Sequence, residues 1–299
     1  MSLYKLLTPK NFSDLLSKES TRRIVPVDST WYLPNLNKNA KQEFLNGDRL
    51  KGAVFFDIDA ISDKKSEFPH MLPDLPTFNK AMSELGLKKD DILVVYDRIG
   101  NFSAPRCAWT LSVFGHHPVY LLNNFPLLKE SGIPTETSSV TNLTPYEKSD
   151  YISDVDLTAK EVVSFEDMQN LVSSDDIKNY QVFDARSFPR FTGEALEPRP
   201  KLSSGHVPGA KSFPFTEVLY DNKTFPSNTD EMLTKLQPFL SKSHIEFDAN
   251  KPTIAMCGTG VSGVIIKTAL ELAGVKNVKL YDGSWTEWVL RGGAVEKGN

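Results

Sequence analysis

Residues 253–263 have the sequence TIAMCGTGVSG, in which an apolar run leads into a cysteine and a glycine-rich turn. The apolar run before Cys257 predicts a buried strand, and apolar residues at helical spacing from Val264 to the stop at Gly274 predict a helix. Cys257 therefore stands between a strand end and a helix N-terminus, where backbone N–H groups and the helix dipole stabilise an anion. A small buried cysteine beside a tight turn is the structural alternative, but the three glycines favour a reactive thiolate.

The loop lacks an arginine, and this absence limits the reactions that it can support. A cysteine phosphatase ends a comparable loop in an arginine that clamps phosphate oxygens bidentately. Here Gly263 stands six residues after Cys257, and the nearest downstream cation is Lys267, a full turn into the predicted helix. The loop therefore favours transfer of a group smaller than phosphate, such as a single sulfur atom that the cysteine holds as a persulfide.

Several segments of the chain carry a resemblance to a known family. The loop that begins at Cys257 resembles the active-site loop of the mercaptopyruvate sulfurtransferase branch of the rhodanese family, and the similarity is greatest to fungal members linked to tRNA wobble-uridine thiolation. The resemblance implies an α/β fold of two tandem rhodanese-like domains, each a parallel sheet flanked by helices. Further matching segments are FFDID at 55–59, PHMLP at 69–73, SGHVPGA at 204–210 and YDGSWTEW at 281–288.

The order of features repeats within the chain, at an offset of 156 to 160 residues. Short apolar strands alternate with amphipathic helices in both halves, which predicts parallel sheets and a duplicated domain. At this offset Asp97 stands where the second half has Cys257, so the first copy lacks the nucleophile. The sequence predicts a catalytically silent domain over 1–140, a surface linker over 141–158 that is rich in polar residues, and a catalytic domain over 159–299.

Composition excludes several classes of function. A net charge of −4, with no dense basic block, gives no electrostatic footprint for direct binding to nucleic acid. No apolar run approaches the roughly 18 residues needed to cross a membrane. Two distant cysteines favour a reducing compartment, and we predict the cytoplasm, with the mitochondrion as a second location. No metal-ligand cluster, dinucleotide motif or P-loop is present in the sequence, so neither a metal nor a cofactor is expected.

The two cysteines differ in their predicted surroundings. Cys257 is the predicted nucleophile, whereas Cys107 falls within an apolar helix without a glycine cradle and is expected to fill the core. By resemblance, the residue at Thr259 forms a relay with a histidine and an aspartate that correspond to His70 and Asp59 in the first half. From the residues alone, Thr259 could equally be a loop hydroxyl that satisfies the backbone.

The substrate-binding residues are also implied by the resemblance. Arg190 and Arg199 match the pair that holds the carboxylate and keto group of the substrate in this branch, and planar guanidinium groups suit that task. Two surface arginines are the alternative. Arg186 is expected to pair with nearby carboxylates. The rest of the predicted binding loop consists of Gly258, Gly260, Val261 and Ser262.

These observations predict a sulfurtransferase that moves sulfur from 3-mercaptopyruvate, and less well from thiosulfate, through a Cys257 persulfide. Thiosulfate is a dianion, and the neutral positions Gly258 and Thr259 give it no Coulombic help. Expected acceptors are thioredoxin, glutathione or a sulfur-carrier protein, and the resemblance implies a relay toward tRNA thiolation through proteins. The alternatives are a non-catalytic rhodanese-like scaffold and, less favoured, a cysteine-dependent phosphatase.

Overall fold

The structure, a computed structural model, describes residues 2–19, 21–133 and 135–298. The chain divides into two compact units. We call them the N-terminal unit, which contains residues 3–64 and 72–157, and the C-terminal unit, which contains residues 65–71 and 158–298 together with Ser2.

The N-terminal unit is built around a five-stranded parallel sheet with the order β1-β6-β5-β2-β4, and a short antiparallel pair, β3 and β7, lies outside it. Its apolar strands are buried and its helices flank the sheet, as expected for a parallel α/β layer. In chain order its elements are β1 (Lys5–Leu7), α1 (Pro9–Lys18), β2 (Ile24–Asp28), α2 (Ala40–Asn46), β3 (Arg49–Leu50), β4 (Val54–Phe55), α3 (Leu75–Glu84), β5 (Ile92–Tyr96), α4 (Ala104–Val113), β6 (Val119–Leu122), α5 (Phe125–Glu130) and β7 (Thr135–Glu136).

The C-terminal unit has a second five-stranded parallel sheet, with the order β10-β9-β11-β12-β8. Short 3₁₀ turns at Asp176–Asn179 and Phe215–Val218 join some of its elements. In chain order these are α6 (Thr158–Glu161), β8 (Val162–Val163), α7 (Phe165–Ser173), β9 (Gln181–Asp184), α8 (Phe188–Thr192), β10 (Lys211–Ser212), α9 (Thr229–Lys242), β11 (Thr253–Met256), α10 (Gly263–Leu272), β12 (Val278–Tyr281) and α11 (Ser284–Leu290).

The two sheets have the same topology. Taken from its other edge, the first sheet has the order β4-β2-β5-β6-β1, which matches β10-β9-β11-β12-β8 strand for strand. The fold class predicted from the sequence, two tandem α/β domains with parallel sheets, is therefore confirmed. In this alignment β5 and β11 are the central strands, and each is followed at once by the residue of interest, Asp97 or Cys257.

Most residues of the segment predicted as a surface linker are exposed, but two of them pack into the N-terminal unit. Tyr151 and Ser153 are buried, and the Tyr151 ring meets the Phe78 ring edge-on with centroids 6.0 Å apart. The Tyr151 N–H donates to Ser83 Oγ over 3.0 Å, and Ser153 Oγ donates to the Phe114 carbonyl over 2.6 Å. A polar composition suggested solvent exposure, but these hydroxyls and backbone groups find their partners within the unit.

Residues 65–71 belong to the C-terminal unit although they lie in the first half of the chain. The sequence-based division at 140 placed them in the first domain, because linear order does not reveal an excursion of the chain to another sheet. No helix in residues 2–19, 21–133 and 135–298 is long and apolar enough to cross a membrane.

Candidate active site

Cys257 lies at the carboxyl end of β11, in the centre of the second sheet, and only 2% of its surface is exposed. Its N–H donates to Ser284 Oγ over 3.1 Å, and its carbonyl accepts the N–H of Trp285 over 3.0 Å. Both backbone groups of the cysteine are therefore satisfied by the start of α11. This pairing holds the base of the loop in one position.

Ser284 and Thr286 complete this support, and the sequence analysis assigned neither of them a role. Ser284 is buried with φ of 53°, and its hydroxyl donates to the Tyr281 carbonyl over 2.8 Å. Thr286 donates to the Gly258 carbonyl through its N–H over 3.0 Å and through its hydroxyl over 2.8 Å. A serine directly after the Gly283 that follows β12 was the available signal, since a short polar side chain tolerates such a turn better than a bulky one.

Two glycines have structural roles in the loop. Gly260 has φ of 78°, a left-handed conformation that side chains disfavour. At Gly263, the first residue of α10, an added Cβ would lie 2.9 Å from Leu280 Cδ1 and 3.3 Å from the Met256 carbonyl carbon. The helix can therefore approach the sheet closely only with glycine here, which brings its N-terminus to the loop. The side chain of Val261 is buried and that of Ser262 is half-buried.

Thr259 and His70 are in contact. The distance between Thr259 Oγ1 and His70 Nδ1 is 3.0 Å, and the two residues are 7% and 3% exposed. His70 has φ of 66°, an uncommon conformation for a histidine, in the 65–71 segment of the C-terminal unit. The structure thus brings together two predicted site residues that are 189 positions apart in sequence.

Asp59, the third member of the predicted relay, belongs to the N-terminal unit. Its residue surface is exposed, and its Oδ2 accepts the indole N–H of Trp31 over 3.0 Å. Its part in the relay stays a prediction.

Arg190 lies beside the cysteine loop. The side chain extends from α8 so that its Nη2 would be 3.3 Å from a Cβ placed on Gly258. The space left by the missing side chain at Gly258 is therefore bordered by a guanidinium group. Arg199 follows in the next loop with a half-buried side chain.

Arg186 has the structural role that the sequence predicted. It is buried, donates to both oxygens of Asp184 and to Glu197, and lies over the Trp285 ring at 4.3 Å. Burial opposes its charge, but attraction to Asp184 and Glu197 outweighs burial and raises the pKa of Arg186 above its usual value. Glu197 also accepts from Arg190, so one carboxylate joins two arginines.

The corresponding loop of the N-terminal unit contains an anion. Asp97 Oδ1 accepts N–H groups from Ile99 and Gly100 over 2.9 and 2.7 Å. Its Oδ2 accepts three more over 2.8 to 2.9 Å, from Phe102, Ser103 and Ala104. Burial raises the pKa of Asp97, and the backbone N–H groups that converge on its carboxylate oppose that rise. The strand–loop–helix arrangement therefore supplies the donors that an anion needs.

We expect Asp97→Ala to lower the free energy of unfolding by about 3 kcal/mol, because five backbone donors, two of them part-buried and three buried, would lose their acceptor. Urea unfolding of the full chain, with hydrogen exchange to assign the transition to the N-terminal unit, measures the effect. Asp90→Ala, at an exposed turn of the same unit, is the matched control. A change for Asp97→Ala as small as that of the control would mean that the loop relaxes without the carboxylate.

Cys107 contrasts with Cys257. It lies fully buried inside α4, and burial raises the pKa of its thiol well above the usual value. A thiol in this environment stays protonated and unreactive, so the prediction that it fills the core is confirmed. Within the described residues, no group of three His, Cys, Asp or Glu side chains is arranged to hold a metal ion.

The comparisons with known proteins agree with this site. Residues 164–291 match the model of the rhodanese-like domain. The thiosulfate sulfurtransferase TUM1 of Saccharomyces cerevisiae is 53% identical over 295 residues, which cover 98% of this chain and 97% of the relative. The chain belongs to the rhodanese family.

Solved structures of rhodaneses place the whole chain in the tandem architecture. The crystal structure of Tum1 from Saccharomyces cerevisiae superposes with a TM-score of 0.96, at 52% identity and with 99% of both chains covered. SseA from Escherichia coli, described as a 3-mercaptopyruvate sulfotransferase, gives a TM-score of 0.77 at 32% identity, with 94% of this chain and 99% of that chain covered. This rhodanese is a thiosulfate/3-mercaptopyruvate sulfurtransferase.

Proposed function

We propose that Cys257 takes the thiol sulfur of 3-mercaptopyruvate, holds it as the outer, sulfane sulfur of a persulfide, and passes it to a thiol acceptor. The thiolate attacks the substrate sulfur, the carbon–sulfur bond breaks, and the electron pair leaves with the enolate of pyruvate. Protonation of the enolate gives pyruvate. An acceptor thiolate then attacks the outer sulfur, forms its own persulfide and regenerates the Cys257 thiolate.

The observation that carries this proposal is the Asp97 carboxylate in the duplicated loop. Five backbone N–H groups hold that anion one residue beyond the end of β5. Cys257 stands one residue beyond β11 in the same topology. A persulfide on Cys257 would extend an anionic sulfur toward the corresponding N–H groups of Thr259, Gly260, Ser262 and Gly263. The fifth corresponding N–H, that of Val264, donates to the Val261 carbonyl over 3.2 Å. The N-terminal unit, with its cradle filled, is catalytically silent in this proposal.

Donor binding is assigned to the two arginines. Arg190, beside Gly258, binds the carboxylate of mercaptopyruvate, and Arg199 binds its carboxylate or keto oxygen. Mercaptopyruvate is preferred to thiosulfate because the loop adds no cation for a dianion. Gly258, Gly260, Val261 and Ser262 form the walls and the donors around the transferred sulfur.

Proton transfer is assigned to the hydrogen-bonded pair of Thr259 and His70. The pair is buried and joined over 3.0 Å, so a proton can move along it to the departing enolate. Asp59 is proposed to support His70, as the resemblance implies.

The acceptor is proposed to be thioredoxin, glutathione or a sulfur-carrier protein. Transfer to a carrier protein would connect the enzyme to tRNA thiolation without direct contact with RNA. The cytoplasm, with the mitochondrion as a second location, is the proposed setting.

Steady-state assays with mercaptopyruvate and thiosulfate as donors, and cyanide or thioredoxin as acceptors, test the proposal. Intact-mass measurement after donor treatment should detect a gain of about 32 Da, the mass of one covalently held sulfur atom. No gain in mass with either donor would favour a non-catalytic scaffold. Hydrolysis of an aryl phosphate in a sulfur-free assay would favour the phosphatase alternative.

Arg190→Ala and Arg199→Ala should each raise the KM for mercaptopyruvate. A lost charged contact costs about 1.5–3 kcal/mol, which corresponds to a KM about ten- to a hundred-fold higher. Lys211→Ala, at an exposed position of the same unit, should leave KM unchanged. If both arginine variants bind mercaptopyruvate normally, the carboxylate is held elsewhere.

A further inference from the structure

Glu197 is a buried carboxylate between two arginines. Its side chain is 2% exposed, and its Oε1 accepts Arg186 Nη1 over 2.9 Å. The same oxygen accepts Arg190 Nε over 3.2 Å, and Oε2 accepts Arg190 Nη2 over 2.5 Å. Such a two-point contact fixes the plane of the Arg190 guanidinium as well as its position.

The contact also determines which part of Arg190 remains for a ligand. Glu197 takes Nε and Nη2, and Nη1 of Arg190 has no hydrogen-bond partner among the described residues. The guanidinium, 23% exposed, lies beside the empty side-chain position of Gly258. The nitrogen nearest Gly258, Nη2, is therefore bound to Glu197, and Nη1 is the nitrogen of the fixed guanidinium group that is left for a ligand.

Charge in this cluster is balanced. Asp184 and Glu197 are the anions and Arg186 and Arg190 the cations, joined in one chain of hydrogen bonds. A cluster with zero formal charge attracts a monoanion through directed hydrogen bonds, but it offers little net field to a dianion.

The N-terminal unit arranges the corresponding charges differently. There Arg98 occupies the position of Gly258, with its Nε 3.2 Å from Asp28 and its Nη1 3.3 Å from Asp48. The duplicated loop can thus accommodate a cation directly after the position of the nucleophile. In the C-terminal unit that loop cation is absent, and the neighbouring cation, Arg190, carries its own counter-ion.

We propose that Glu197 is a positioning residue that sets donor selectivity. It orients Arg190 for the carboxylate of mercaptopyruvate and cancels the charge that would otherwise attract thiosulfate. The inference rests on the proposed role of Arg190 in donor binding. It predicts that removal of the Glu197 charge improves the use of thiosulfate, an outcome that a merely structural role would not produce.

The test compares Glu197→Gln with the unmodified enzyme, with each donor, as separate kcat and KM values. One added net positive charge near the bound donor favours the dianion over the monoanion, so the ratio of kcat/KM for thiosulfate to that for mercaptopyruvate should rise about tenfold. The KM for thiosulfate should fall below that of the unmodified enzyme. Because the gain is electrostatic, it should shrink as salt is raised.

Three further variants make the test decisive. Glu194→Gln, an exposed glutamate in the same loop, should leave the donor ratio unchanged. In an Arg190→Gln background the orienting contact is already absent, so Glu197→Gln should no longer raise the KM for mercaptopyruvate. Glu197→Asp keeps the charge but shortens the contact, so it should raise the KM for mercaptopyruvate without improving thiosulfate; it also serves if the Gln variant does not fold.

Equal losses for both donors in Glu197→Gln would overturn the proposal, as would an unchanged ratio. A rise in the KM for mercaptopyruvate on Glu197→Gln that is as large without Arg190 would also overturn it. These failures differ from failure of the proposed donor site, in which Arg190→Ala itself leaves the KM for mercaptopyruvate unchanged.

Discussion

Cys257→Ser is expected to abolish sulfur transfer and persulfide formation, whereas Cys107→Ser retains both. A serine hydroxyl cannot hold a sulfane sulfur, and Cys257 is the thiol that stands between the end of β11 and the N-terminus of α10. Cys107 is fully buried in α4, with a thiol pKa raised well above its usual value by burial. Cys257→Ser should therefore remove essentially all turnover, whereas any loss of turnover in Cys107→Ser should reflect only altered packing.

The measurement pairs steady-state turnover with intact-mass detection of the bound sulfur. Thermal unfolding of both variants shows whether either change alters the fold, since Cys107→Ser places a hydroxyl in an apolar helix environment. Equal loss of persulfide in two folded variants would refute a single nucleophile.

Thr259→Val should lower kcat for mercaptopyruvate by about a hundredfold, the lower range for loss of a positioned proton donor. Valine has the shape of threonine without the hydroxyl, so the 3.0 Å contact to His70 Nδ1 is lost while the loop volume is kept. Thiosulfate turnover should fall much less, because sulfite departs as a stable anion, whereas the enolate of pyruvate requires a proton. The split between donors separates loss of proton transfer from a general loss of loop structure.

Thr259→Ser is the matched control, since it restores the hydroxyl and should recover most of the activity. His70→Ala should reproduce the pattern of Thr259→Val, with kcat for mercaptopyruvate affected more than KM. Unlike Glu197→Gln, neither variant should improve thiosulfate in absolute terms. An equal loss of kcat with both donors would indicate that the pair stabilises the loop rather than transferring a proton.

The sequence allowed the fold class and the central feature of the site to be predicted. The strand, Cys257, the glycine turn and the helix are contiguous, so their mutual arrangement depends on local periodicity and on backbone conformations that glycine permits. The duplication predicted the shared topology of the two sheets, and it placed Asp97 at the position of Cys257.

The other site residues could be predicted only in part from the sequence. His70 and Arg190 were predicted through family resemblance, since a histidine in a Pro-containing loop and an arginine in a Gly/Pro-rich loop are common surface features. Ser284, Thr286 and Glu197 were assigned no role. Their partners are backbone groups or side chains in other elements, which no local spacing identifies.

The division of residues 65–71 from the rest of the first half illustrates the same limit. Linear order assigned these residues to the first domain, and the packing groups them with the second sheet, where His70 meets Thr259. The polar segment around Tyr151 and Ser153 likewise had the composition of a linker but packs into the N-terminal unit. Composition describes a segment, whereas burial depends on which partners its polar groups find.

The sequence by itself determined the strand–cysteine–glycine–helix unit, its duplicated copy and the loss of the nucleophile from that copy. These features depend on neighbours in the chain. Only the tertiary structure decided that Glu197 holds Arg190 beside Gly258 and that Ser284 supports Cys257. Buried charges and backbone groups must be paired, and the fold, not the spacing of residues, determines which distant group satisfies each one.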